Sequence, residues 1–392
     1  MADPNLSYLS LLLLLLPLAI LLSLYFLVRP RPVKIPIKGR HVFITGGSSG
    51  IGLALAHQAA SDGARVSILA RSISKLEEAK QAIRLSTGID VAVFAADVRD
   101  YDAVSKAINE AEPIDVLIVN QGVFVPQELE KQGLDEIRFM MDVNLMGTFH
   151  MIKAALPSIK KRSHRGPASI ALMSSQAGQF GLRGLAEALQ QELIADDIHV
   201  SLIFPPDTDT PGLVEETKVR PQLTSIIAAS SGAMKADEVA KKALSGIKSG
   251  SFIIPCNFEG LLLSIATAGF APQRSFVMAF VEIVAAGIIR FATLCFQWNW
   301  DLEVHDACCG YEFLQNTAVS YADHYKSFKF PLELLEVDFF LFLTDALMDG
   351  VDLGVVTFAL DEDAHVDASE TVSSKEEDGL QRNTNQTLSS CA

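Results

Sequence analysis

The sequence predicts an α/β protein built on a doubly wound parallel sheet, and two observations carry that prediction. From Gly39 to about Pro255, short Val/Ile/Leu-rich runs alternate with amphipathic stretches, the pattern of buried strands covered by helices on both faces. The first run, His41 to Thr45, passes through Thr45-Gly46-Gly47-Ser48-Ser49-Gly50-Ile51-Gly52 into an Ala-rich helix from Leu53 to Ser61. Glycines let the backbone approach a pyrophosphate closely, and the free N–H groups and dipole of a helix N-terminus stabilise its charge. A Gly-rich turn alone would be ordinary. Between a strand and a helix it reads as a Rossmann-type dinucleotide cradle lined by Gly46, Ser48, Ser49, Gly50, Ile51 and Gly52.

Taken in order, the chain opens on an anchor. Leu9 to Val28 carries no charge and as a helix would span about 30 Å, the thickness of a bilayer's hydrocarbon core. Asp3 precedes the run, whereas Arg29, Arg31, Lys34, Lys38 and Arg40 follow it, which argues against a cleaved signal peptide and places the next domain in the cytosol. Residues 1–35 are therefore read as a transmembrane helix with a basic flank, and 36–257 as the nucleotide-binding domain, with strands near 41–45, 65–70, 91–95, 115–119, 168–173 and 199–204. Two apolar stretches, Leu261 to Phe270 and Phe276 to Trp298, then form a C-terminal hairpin within 258–300. Glu282 and Arg290 lie near one face of the second, and a charge at bilayer centre costs about 2.5–3.5 kcal/mol, so a re-entrant or interfacial hairpin is expected before a full second span. Residues 301–392 form an acidic tail, expected to be disordered from about 361.

Charge and cysteine usage narrow the function. Residues 301–392 hold 19 acidic and 4 basic residues, the whole of the net charge of −15, so the body is neutral and no basic patch argues for nucleic acid. Cys256, Cys295, Cys308, Cys309 and Cys391 show no paired metal spacing, and residues 29–255 contain none. That suits a reducing compartment and removes thiol catalysis from the body; no metal site is expected.

The residues after successive strands extend the cradle. Arg71 stands about 20 residues beyond the Gly loop, where an acidic side chain would take the ribose 2′-hydroxyl of NAD; with Lys75 one turn on, a 2′-phosphate fits better, which favours NADPH. Asp97, after the third strand, is placed to accept from the adenine amino group, and Asn120-Gln121-Gly122, after the fourth, to line the adenosine side. Each alone is also a common strand-end residue.

Together these residues resemble the short-chain dehydrogenase/reductase family. Thr-Gly-x-x-x-Gly-x-Gly, an Asp-Val after the third strand and an Asn-x-Gly after the fourth recur there, and Asn144 in Asp142-Val143-Asn144 matches its structural and proton-relay asparagine. More narrowly, Ser174-Ser175-Gln176-Ala177-Gly178-Gln179 and Phe204-Pro205-Pro206-Asp207-Thr208-Asp209-Thr210-Pro211-Gly212 look like the 3-ketodihydrosphingosine reductases, as do the anchor and the apolar hairpin. The resemblance implies an NADPH-dependent reductase of a long-chain keto sphingoid base, drawn from the bilayer into a cytosol-facing site at the endoplasmic reticulum membrane. Ser175 would bind the carbonyl, Asn144 would hold a relay water, and the loop carrying Pro205, Asp207, Thr208 and Thr210 would close over the substrate, with Asp207 or Asp209 either meeting its ammonium or capping the loop itself. A retinol or steroid reductase would share the anchor and Gly loop but not the Pro-Pro-Asp-Thr-Asp-Thr-Pro loop.

One departure stands at the centre of the chemistry. The family protonates the new alkoxide from a Tyr whose pKa, about 10 unperturbed, is lowered by a Lys four residues later. Here Gln179 runs directly into Phe180-Gly181-Leu182-Arg183-Gly184-Leu185, the sequence that follows that Lys in relatives; no tyrosine occurs between Tyr101 and Tyr311, and no lysine between Lys161 and Lys218. A segment carrying Tyr-x-x-x-Lys and its first helical turns is absent between 179 and 180. A catalytically inactive, NADPH-binding membrane protein is the alternative this implies. Because that helix forms much of the family's dimer interface, a homo-oligomer would be weakened. Tyr325 and Lys329 repeat the spacing, but only beyond the hairpin.

Overall fold

The computed structural model describes residues 4–28, 33–111, 113–127, 130–161, 166–175, 179–221, 224–225, 232–269, 271–290 and 294, with side chains from residue 15 on except at 179–180. The acidic tail, with Tyr325 and Lys329, lies outside the described residues.

Seven parallel strands form the main sheet: β1 (His41–Thr45), β2 (Arg65–Ala70), β3 (Ala92–Ala95), β4 (Val116–Val119), β5 (Ala168–Met173), β6 (Ile198–Phe204) and β9 (Ile253–Pro255). Their order is β3-β2-β1-β4-β5-β6-β9, so the chain reverses direction of travel between β1 and β4. Ligands of such sheets bind outside the carboxyl ends of the strands at this switch point. The expected six strands are present with ends moved by a residue at most. The seventh, β9, was not expected: three residues give too short an apolar run to stand out, and β9 exists because Ile253 and Ile254 find register against Leu202 and Ile203 of β6. Two-residue strands β7 (Thr208–Asp209) and β8 (Met234–Lys235) pair separately over the loop after β6.

Strands β1 and β4 are buried at every residue, which is why they read as continuous apolar runs. One face of the sheet is covered by α2 (Gly50–Ser61), α3 (Ile73–Thr87) and α9 (Ala236–Lys248), which contribute Leu55, Leu76, Val239 and Leu244 to a single core with Val42, Ile44 and Ile68. The other face packs α4 (Tyr101–Glu110), α6 (Gly147–Lys160) and α7 (Gln179–Glu192) through Val104, Met151, Ile152, Ala186 and Leu189. Helix starts follow local chemistry. Ser72 and Asp100 cap α3 and α4 by accepting backbone N–H groups, and Thr210 caps α8 (Pro211–Thr217), whose first residue is the proline that position favours. Helix α5 (Leu134–Met141) runs through a π turn, Asp142–Met146, into α6.

The apolar ends are helical. Helix α1 spans Pro4–Val28, with Leu15, Leu16, Leu18, Leu22 and Phe26 exposed. Among the described residues no helix is long and apolar enough to cross a membrane; in α1 the side chains described are those of 15–28 alone. After β9, α10 (Phe258–Ala266) and a helix over 276–290, α11, pack together through Leu261, Ile265, Ala285 and Ile289. The Tyr25 ring of α1 meets Phe276 of α11 edge-on at 5.6 Å.

Candidate active site

The Gly loop leaves β1 at the switch point and is shaped by close approach. A Cβ on Gly52 would lie 2.2 Å from the Gly46 carbonyl oxygen and 2.6 Å from Asn120 Nδ2, so no side chain fits where α2 starts. Gly50 has φ +55°, and a Cβ there would stand 3.1 Å from Thr210 Cγ2. The Gly46 N–H donates to Leu69 O at 2.8 Å, tying the loop to β2, while Ser49, exposed, is the residue before α2. Ser48 and Ile51 are half-buried beside it. The loop thus presents an open backbone cradle at a helix N-terminus, the arrangement that receives a pyrophosphate.

Asn120 belongs to this cradle. Its backbone N–H donates to Thr45 Oγ1 at 2.8 Å and its Nδ2 to Thr45 O at 3.2 Å, locking the exit of β4 to the exit of β1. From Thr45 a chain of hydrogen bonds runs deeper: Thr45 Oγ1 donates to Gln121 Oε1, Gln121 Nε2 to Thr148 Oγ1 at 3.3 Å, and Thr148 Oγ1 to Asn144 O at 2.7 Å. The Asn144 side chain grips Val123 with both functions, Nδ2 donating to its carbonyl and Oδ1 accepting its N–H, each at 2.8 Å. A Cβ on the exposed Gly122 would stand 3.8 Å from that Oδ1. The sequence pointed to Asn120-Gln121-Gly122 and to Asn144, but not to the roles of Thr45 and Thr148 in connecting them; a threonine closing a buried strand just before the Gly loop was the available signal.

Arg71 and Lys75 are exposed where β2 gives way to α3. Asp97 accepts from Arg99 Nε at 3.1 Å and Nη2 at 2.6 Å, and the Arg99 hydrogen bonds, with a weaker contribution from the charge of Arg71, hold its carboxyl below the usual range. Asp97 therefore stays ionised as an acceptor, with Arg99 stacked 5.2 Å over the Phe139 ring.

Ser175 is exposed two residues past β5, whose exit is fixed by the Ser174 N–H donating to Ile203 O at 2.9 Å. Residues 176–178 lie outside the described residues, and α7 begins at Gln179. Pro205 and Pro206 are buried, and Thr208 Oγ1 donates to Pro206 O at 2.9 Å, which folds the loop over the sheet edge. Of the two roles open to Asp207, the structure shows the loop-fixing one: Arg220 Nη1 donates to it at 2.7 Å, with Glu216 as the second partner of the same guanidinium. A nearly buried arginine with two carboxylates fixes the loop against α8, so Asp207 shapes the loop and leaves the exposed Asp209 as the loop's open carboxylate. Nearby Cys256 is buried, which pushes its thiol up to about 12, far from a nucleophile.

A parallel sheet ordered β3-β2-β1-β4-β5-β6-β9, with a Gly loop at the switch point and a serine past the fifth strand, defines a nucleotide-dependent reductase of the short-chain class. Residues 40–220 match the short chain dehydrogenase family model. The chain is 66% identical over 287 residues to the 3-dehydrosphinganine reductase TSC10A of Arabidopsis thaliana, covering 70% of this chain and 88% of the relative. It is 34% identical over 307 residues to the 3-dehydrosphinganine reductase of Danio rerio, covering 72% and 91%. A short chain dehydrogenase/reductase from Burkholderia phymatum, solved in complex with NAD, has the same fold at a TM-score of 0.52 and 21% identity, over 59% of this chain and 94% of that one. The chain belongs to the 3-dehydrosphinganine reductase family, also named 3-ketodihydrosphingosine reductases.

Proposed function

We propose that the site serves NADPH-dependent reduction of 3-ketodihydrosphingosine to dihydrosphingosine. The observation that carries this reading is the approach of Gly50 to Thr210, which brings the cofactor loop and the Pro-Pro-Asp-Thr-Asp-Thr-Pro loop into one site. The cradle fits the cofactor on its own evidence: Gly50 turns into α2 with φ +55°, and the Ser49 side chain makes no capping bond at the start of that helix, so its first N–H groups can meet a phosphate. The backbone of 46–52 would hold the pyrophosphate, Arg71 and Lys75 the 2′-phosphate, and Asp97, Asn120 and Gly122 the adenosine. NADPH, when bound, supplies the hydride. The Ser175 hydroxyl donates to the ketone oxygen, and Asp209 at the loop rim faces the substrate ammonium. Asn144, its amide spent on Val123, would hold the relay water through its backbone carbonyl, which lies in a π turn and accepts from Thr148 Oγ1. Binding of NADPH in preference to NADH, followed by cofactor fluorescence, tests the assignment; equal affinity for the two contradicts it.

A specific observation favours a second reading of this chain: the proton donor is missing. Gln179 follows the site serine by four residues and already starts α7, and the nearest upstream tyrosine, Tyr101, packs on α6 with His150 edge-on at 5.6 Å and the Lys153 ammonium 5.6 Å from its ring centre. Hydride transfer without a positioned acid forfeits about 10²- to 10⁴-fold. In that reading the chain binds NADPH without appreciable turnover.

Helix α1 with its basic flank, and the exposed Ile283, Val284 and Ile288 of α11, support attachment to the endoplasmic reticulum membrane with the sheet on the cytosolic side. Self-association uses the α6 face, where Met146 and Phe149 are exposed, and is weakened by the shortened start of α7. Resistance to carbonate extraction from microsomes, with the 36–257 domain cut by added protease, is the result expected of this topology.

A further inference from the structure

The turn joining the two hairpin helices is fastened to the sheet domain at both ends. At its start, Arg183 of α7 reaches the C-terminus of α10: Nη1 donates to Thr267 Oγ1 at 2.9 Å and Nη2 to Ala268 O at 2.7 Å, while Nε donates to Glu187 Oε1 at 2.8 Å. The Arg183 side chain is 8% exposed. A planar fork of donors suits two acceptors and a carboxylate at once, and the negative end of a helix dipole favours a cation there. At the far end of the turn, Arg274 Nη2 donates to His199 Nδ1 of β6 at 2.8 Å. The opposite ring nitrogen, Nε2, bonds Asp197 Oδ1 at 3.2 Å, and Asp197 holds a left-handed backbone with φ 51° just before β6.

The two anchor points lie on α7 and on β6, separated in the chain by one 3-10 turn, Ile194–Asp196, and α7 is the helix that follows Ser175. The hairpin's own cohesion needs neither arginine, because Leu261, Ile265, Ala285 and Ile289 pack its helices together. Its apolar exposed side chains, Ile283, Val284 and Ile288, are not among the stapled residues.

We propose that Arg183 and Arg274 are positioning residues that staple the hairpin turn to α7 and β6, so that lipid contact at the hairpin and order of the substrate side beside Ser175 rise together. The staple stands on the contacts above; the coupling to lipid rests also on the membrane reading. Both arginines act through packed elements and touch no reacting atom. Removing one partner strands the others, since a part-buried Glu187 carboxylate and the Ala268 carbonyl just past α10 lose their donors.

Hydrogen exchange of the full chain with NADPH tests this in dodecyl maltoside micelles and in phosphatidylcholine nanodiscs. In micelles, Arg183→Gln is expected to speed exchange about tenfold or more over both 182–192 and 258–269, whereas Glu187→Gln does so in 182–192 alone. Nanodiscs are expected to slow exchange of 182–192 in the wild type and not in Arg183→Gln. Loosening confined to α7 in Arg183→Gln overturns the staple, because the residue then serves only its pair with Glu187. If that variant no longer binds NADPH, Arg274→Gln decides: loosening of 258–269 with NADPH still bound supports the proposal, and unchanged exchange overturns it. A wild type that stays out of nanodiscs overturns the membrane reading and the coupling with it, while the micelle comparison decides the staple by itself.

Discussion

A methyl carbon built on Gly50 would lie 3.1 Å from Thr210 Cγ2, so the loop that cradles the cofactor and the loop after β6 touch across the mouth of the site. With φ +55°, Gly50 also holds a backbone that side chains strain to adopt. Gly50→Asp is expected to lower NADPH affinity about 100-fold or more, adding strain to a charge against the pyrophosphate. Titration by cofactor fluorescence checks it, and unchanged affinity would remove the cofactor assignment.

Arg71 is exposed at the end of β2, where the cofactor's ribose is expected. Arg71→Glu should move the preference from NADPH toward NADH by about tenfold, the worth of a charge-assisted contact turned repulsive. If both dissociation constants stay where they were, Arg71 is a solvated helix-start residue and no more.

The two bonds between Asn144 and Val123 predict a structural penalty beside any kinetic one. Asn144→Ala leaves a part-buried N–H and carbonyl without their partners and should cost about 1–3 kcal/mol in urea unfolding. Asn144→Asp keeps the acceptor and loses the donor, so it should fall between. A variant as stable as the wild type would show that the 121–123 segment is held by other contacts.

His199 makes the hairpin turn sensitive to acid. Arginine can only donate, so His199 Nδ1 must be unprotonated, and burial with the nearby Arg274 charge lowers its pKa below 6.5 against the opposing pull of Asp197. A lowered folded pKa means that the unfolded chain takes up the proton first. The stability that neutral His199 contributes is therefore complete above about pH 6.5 and is lost as pH falls from there through the lower folded value. His41 and His57, also lowered by burial, act in the same direction. The unfolding temperature should drop between pH 7.5 and 5.5, and His199→Asn should flatten part of that slope; an unaltered slope would show that the other two histidines account for it.

The sheet was legible because parallel strands buried on both faces leave continuous apolar runs, as His41–Thr45 and Val116–Val119 do, and because the Gly loop sits where a strand must become a helix. What escaped depended on partners far along the chain. Strand β9 is three residues whose pairing with β6 is set by tertiary packing. A loop-capping role for Asp207 was open from sequence, but nothing near it announces Arg220, 13 residues on, as its partner. Arg183 and Thr267 meet across 84 residues, a contact no periodicity reports. The missing Tyr-x-x-x-Lys, in contrast, was visible only in sequence, as an absence measured against the family's motif.

The central claim is that this chain keeps the cofactor and substrate loops of a sphingoid ketone reductase and lacks its proton donor. NADPH consumption with 3-ketodihydrosphingosine, measured for the chain as it stands and for a version with a Tyr-x-x-x-Lys segment inserted between Gln179 and Phe180, tests it most directly. The predicted result is NADPH binding by both and turnover at least about 100-fold faster in the restored version. Comparable turnover in the two would contradict it and would mean that another group of this chain delivers the proton.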